Sequence, residues 1–128
     1  MKKALYISTA VMAFVLFTCQ LAVSASLNRI DGDELRKMMK DGGQITIVDV
    51  REPELFTKGH IPGAINIPYD TAEARILKEL SPKDRIVFVC HGGPMGDELG
   101  DILIKNGYPS VYNLKGGMKR WNGPFSVK

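Results

Sequence analysis

The run Ile45-Thr46-Ile47-Val48-Asp49-Val50 limits the possible folds of this chain more than any other. It is β-branched and almost continuously apolar, which suits a strand covered on both faces rather than a half-exposed hairpin. Arg85-Ile86-Val87-Phe88-Val89-Cys90 has the same character. Helical spacing fills the segments around these two runs. Asp31, with Glu34 three positions on, can build a capping box for a helix that aligns Leu35, Met38 and Met39 and ends at Gly42-Gly43. Residues 71–80 read as a helix with Ala72, Ile76, Leu77 and Leu80 inward, stopped by Ser81-Pro82. Residues 97–106 read as another, with Leu99, Ile102 and Leu103 on one face and Gly107 as a left-handed terminator. Shorter strands are expected at 27–30, 64–67 and 111–114, with single helical turns at 52–56 and after Gly116-Gly117, the last carrying Trp121. Strands alternating with helices predict an α/β domain: a mainly parallel sheet of about five strands with helices on both faces.

The first 25 residues stand apart from this pattern. Met1-Lys2-Lys3 followed by ALYISTAVMAFVLFTCQLA has the basic start and apolar middle of an export signal, and Val23-Ser24-Ala25 supplies the small residues of a cleavage site. We therefore expect residues 1–25 to be a signal peptide and 26–128 to be one exported domain, in the bacterial periplasm. The alternative is an uncleaved anchor holding the domain on the periplasmic side of the membrane, since the apolar stretch approaches spanning length. Leu16-Phe17-Thr18-Cys19 also leaves open a lipid-attachment box, for which Phe17 and Thr18 are poor residues. A domain of this size buries about two-thirds of the surface its unfolded chain exposes, enough for a core without staples. The formal charge of +3 includes Lys2 and Lys3, and no basic run or basic–aromatic patch marks a nucleic-acid partner.

Cleavage would discard Cys19 and leave Cys90 without a disulfide partner in a disulfide-permissive compartment. Such a cysteine is either a buried, inert strand end or a reactive centre. Cys90 stands where a strand breaks into His91-Gly92-Gly93-Pro94-Met95-Gly96, and in parallel sheets sites collect beyond the carboxyl ends of strands. A free thiol, with pKa near 8.5, is only about 3% thiolate at pH 7. Gly92, Gly93 and Gly96 let backbone N–H groups curl toward an anion, and Pro94 stiffens the turn while removing one of them. Asp97 and Glu98 favour the helix start but oppose a nearby thiolate or an anionic substrate.

Three ordered stretches resemble the rhodanese-like domain family, over nearly all of residues 27–128. The first is Ile47-Val48-Asp49-Val50-Arg51-Glu52-Pro53-Glu54-Leu55-Phe56 with Gly59-His60-Ile61-Pro62-Gly63-Ala64-Ile65-Asn66-Ile67-Pro68; the second is the cysteine loop; the third is Gly116-Gly117-Met118 with Trp121. The resemblance implies a sulfurtransferase. Its Cys90 would take sulfane sulfur from a donor such as thiosulfate, polysulfide or a protein persulfide, hold it as a persulfide, and pass it to a thiol or cyanide-like nucleophile. It further implies that the amides of His91 to Gly96 form the persulfide cradle, and it implies no metal or organic cofactor.

The loop departs from the family pattern C-R-x-G-x-R, common among members that use thiosulfate, by holding His91 and Met95 where that pattern has basic residues. Losing an arginine's charge-assisted hydrogen bonds costs on the order of 1.5–3 kcal/mol, about 10–150-fold in donor affinity. Met95 offers a soft apolar surface to a less charged donor, or packs against the next helix near Leu99. His91 either restores positive charge below neutral pH or is simply solvated. Neither Met95 nor Gly96 can serve as the arginine that closes the longer loop of the related phosphatases. Asp49 and Arg51 are expected to hold neighbouring loops through hydrogen bonds and an ion pair, His60 to be structural in its tight turn, and Trp121 to anchor the core. Lys119 and Arg120 could face the loop mouth. A sulfur-binding or partner-docking module with little turnover, and an inert scaffold related only by fold, are the competing expectations.

Overall fold

The computed structural model describes residues 24–127. The leader expected over residues 1–25 therefore lies, apart from its last two residues, outside the described residues.

Five strands, β1 (Asn28–Ile30), β2 (Ile45–Asp49), β3 (Ile65–Asn66), β4 (Arg85–Val89) and β5 (Val111–Leu114), form one sheet in the order β1-β5-β4-β2-β3. Every pairing is parallel. The two apolar runs are neighbours: β2 and β4 pair from Ile45↔Arg85 to Asp49↔Val89. Alternate residues of these strands enter different cores, as the two-residue period requires. Val48, Ile86 and Phe88 pack with Ala72, Ile76, Leu99 and Leu103 on one face, while Ile47, Val87 and Val89 pack with Leu35, Ile61 and Trp121 on the other.

The helices are α1 (Gly32–Lys40), α2 (Pro53–Lys58), α3 (Tyr69–Glu79), α4 (Pro94–Lys105) and α5 (Gly117–Arg120). The Asp31–Glu34 capping box forms as expected, each side chain bonding the other's backbone N–H at 2.8 Å. Gly107 adopts φ 83° beyond α4, fitting its role as terminator.

Two helix boundaries differ from expectation because a proline starts each helix earlier. Pro68 stands at the N-cap of α3, so the helix opens at Tyr69 rather than at residue 71. Pro94 is the first helical residue of α4, where its missing N–H costs nothing, so Met95 and Gly96 belong to the first turn and not to the loop. Leu77 is 43% exposed, not inward. It follows the buried Ile76 by about 100° of helical rotation, which turns it off the core face.

Candidate active site

Cys90 is the first residue after β4, at the carboxyl end of the sheet's central strand. It is 1% exposed and packs in the same apolar cluster as Val50 and Leu99, with the half-buried Met95 against that cluster. Gly93 turns the chain with φ 125°, a region that L side chains rarely adopt. The turn brings the Gly93 N–H to 2.9 Å from Cys90 Sγ. An N–H aimed at sulfur gives negative charge there a partner within a buried site. The N–H groups of His91, Gly92 and Met95 have no protein acceptor among the described residues. Gly96 differs from its expected part in the cradle: its N–H donates to the Gly93 carbonyl at 3.1 Å, as the first-turn bond that begins α4.

Contacts from behind fix the loop. The α5 amides of Met118 and Lys119 donate to the carbonyls of Cys90 and His91 at 2.8 and 3.1 Å. Gly117 makes this approach possible, since a Cβ there would stand 2.2 Å from the Cys90 carbonyl oxygen. The Gly116-Gly117-Met118 stretch is thus a clamp on the cysteine loop. Asn113 on β5 acts alongside it: its Nδ2 donates to the Gly93 carbonyl and to Asp97 Oδ1, both at 2.8 Å. Asn113 is buried and its Oδ1 has no hydrogen-bond partner among the described residues. That oxygen lies against Gly96, where a Cβ would come within 2.0 Å. Asn113 lies outside the three motif stretches, although a polar residue inside the short strand Val111–Leu114 is a usable signal.

Asp49 and Arg51 form the expected buried pair, at 1% and 8% exposure. Arg51 Nε and Nη2 donate to the Asp49 carboxylate at 2.7–3.2 Å, and Nη2 also donates to the Gly59 carbonyl at 2.8 Å. The pair therefore ties the end of β2 to the Gly59–His60 turn. His60 is buried, its ring stacked on Phe56 with centroids 3.8 Å apart, and its Nδ1–H donates to the Phe56 carbonyl at 2.7 Å. These residues support the site without lining it.

His91 leaves the loop toward α2, where Nε2 lies 2.8 Å from Glu52 Oε2. The Glu52 carboxyl is held below the usual carboxylate range, first by its own backbone N–H and then by His91. Lys119 and Arg120 are both exposed on α5; Lys119 passes near Gly92, whereas Arg120 covers Gly116. Met95 packs against the core cluster containing Leu99 and also lines a cavity of about 370 Å³ beside the loop, together with Val50, Glu52, Pro68 and Tyr69.

Fold and loop together define a class: a parallel α/β domain with a cysteine seated between a central strand and the helix that follows it. Residues 31–124 match the family model described as Rhodanese-like domain, and the chain belongs to that family. It is 33% identical over 104 residues to YrkF of Bacillus subtilis, covering 81% of this chain and 51% of that protein, so it spans about half of that relative's length. It is 33% identical over 96 residues to a protein of Allochromatium vinosum named "Sulfurtransferase", covering 74% of this chain and 88% of the relative. A solved rhodanese-like domain protein of Staphylococcus aureus superposes with a TM-score of 0.71 at 30% identity, covering 79% of this chain and 98% of its own. The fold is the rhodanese-like one, and the family includes proteins named as sulfurtransferases.

Proposed function

We propose that this protein transfers sulfane sulfur, with Cys90 as its carrier. The observation that supports this most directly is the 2.9 Å approach of the Gly93 N–H to Cys90 Sγ in a loop clamped by α5. In the first half-reaction the Cys90 thiolate attacks the outer sulfur of a donor. A Cys90–sulfur bond forms, the donor's own bond to that sulfur breaks, and the donor leaves with the electron pair. In the second, an acceptor thiolate or cyanide attacks the outer sulfur of the persulfide, and Cys90 departs as thiolate. Electrons balance without an external oxidant or a metal.

The burial of Cys90 fits such a carrier. The sulfur to be transferred stands one S–S bond, about 2 Å, beyond Sγ, so the acceptor need not reach the buried atom itself. The Gly93 amide already meets Sγ and those of His91 and Gly92, without a protein acceptor among the described residues, remain for the added negative charge, whereas a dianion such as thiosulfate finds no arginine in the loop. A protein persulfide, which carries no more than a single charge on its sulfur, is the donor this loop favours. The basic and apolar N-terminal residues support export of the domain to the periplasm as part of the same reading.

Replacing Cys90 by Ser tests the proposal. Transfer of sulfane sulfur to cyanide or to a thiol should fall to the uncatalysed rate in the folded variant, and undiminished transfer would refute the role of Cys90.

A further inference from the structure

The cavity beside the cysteine loop is walled by Val50, Pro68 and Met95 and rimmed by the carboxylates of Glu52, Glu54 and Asp70. A second cavity of about 180 Å³ continues from it between α3 and α4, sharing Tyr69 and Asp70 and adding Glu73 and Glu98. All five acidic residues are exposed, and among the described residues no lysine or arginine lines either cavity. Basic side chains that flank the cysteine loop are engaged or lie elsewhere: Arg29 pairs with Asp97, and Lys119 sits on the α5 flank near Gly92. The Tyr69 hydroxyl donates to Glu98. Its phenol pKa is raised, first by that hydrogen bond, then by burial and by the charges of Glu98 and Glu73, consistent with a negative field along the groove.

Resting on the sulfur-carrier reading, we propose that this mouth and groove receive a polypeptide partner whose reactive cysteine stands among lysine or arginine residues. The partner's cysteine enters the 370 Å³ cavity beside Met95 while its basic side chains lie along the acidic groove between α3 and α4. The apolar wall accepts the uncharged body of a thiol or persulfide, and the rim selects its flanks. A small thiol would occupy the first cavity only and leave the second unused, whereas an extended segment meets both. Small anions enter against like charge, which is a device of selection as well as attraction.

The test uses the full chain loaded with sulfur from inorganic polysulfide. Acceptors are two synthetic peptides of equal length, one with its cysteine flanked by lysines and one by glutamates, with cysteamine and 2-mercaptoethanol as small thiols. Each acceptor is compared with itself across wild type and the surface variant Glu54→Gln/Asp70→Asn/Glu73→Gln/Glu98→Gln, so its intrinsic reactivity cancels. Wild type should favour the lysine peptide over the glutamate peptide by about tenfold or more at low salt, and the advantage should shrink in the variant and at high ionic strength. Equal wild-type-to-variant rate ratios for the two peptides would overturn the proposal. So would an equally large wild-type-to-variant drop for cysteamine with none for 2-mercaptoethanol, since a single charge at the mouth would then account for everything. Transfer to 2-mercaptoethanol without a lysine preference removes this proposal alone; transfer to no acceptor at all removes the carrier reading with it.

Discussion

The chain's two histidines stand in the two motif loops, and their surroundings are opposite. His60 is 4% exposed, stacked on Phe56 and bonded to a backbone carbonyl, in a turn that Arg51 and Asp49 tie to β2. The His91 side chain is 37% exposed and meets a carboxylate that is itself exposed. A ring that spends its hydrogen bond on a main-chain carbonyl inside the core acts as a rivet. A ring held only by a surface carboxylate has no such tie to the core. One motif loop is therefore scaffold and the other is the loop to which we assign the chemistry, although both follow strands of the same sheet.

The sharpest way to break this contrast is through Asp49. Its replacement by Ala strands the Arg51 guanidinium in a buried site, and we expect a loss of about 3–5 kcal/mol in unfolding free energy by denaturant titration. A loss below about 1 kcal/mol would mean that the pair is not a structural tie. Next in size, His60→Ala removes a stacked ring and a buried hydrogen bond. A loss of roughly 2–3 kcal/mol is expected, with sulfur transfer per folded molecule retained. His91→Gln should change stability by no more than about 0.5 kcal/mol, as for other exposed pairs, while altering transfer kinetics.

The smallest effect is a pH dependence. Because the folded Glu52 carboxyl is held below its ordinary range, its favourable contacts are fully present above the unfolded carboxylate's pKa. They are lost as pH falls through the depressed folded value. The stability difference between wild type and Glu52→Gln should therefore be full near neutrality and fade in acid, below the ordinary carboxylate range. A difference that grows in acid would contradict this assignment.

Much of the scaffold was legible because its signals are local. The β-branched runs became the paired strands β2 and β4, and the Asp31–Glu34 spacing became a capping box. The Asp49–Arg51 tie was also legible, since a charged pair at the end of a buried strand has few ways to be satisfied. What escaped depends on positions far apart in the chain. Glu52 and His91 are separated by 39 positions and meet because each follows one of two neighbouring strands. The clamp of Met118 on the Cys90 carbonyl arises the same way, from β4 lying beside β5. At α4 the loop glycines suggested a longer cradle. The Gly93 turn instead directs its carbonyl at the amides of Gly96 and Asp97, and the helix starts there.

The most direct test is the mass of the folded protein before and after exposure to polysulfide. The Cys90 peptide should gain one sulfur atom that a thiol then removes, and the Cys90→Ser variant should gain none; the same spectrum would show whether the chain is cut after Ala25. Absence of any added sulfur on wild-type Cys90, or equal uptake by the variant, would contradict the account.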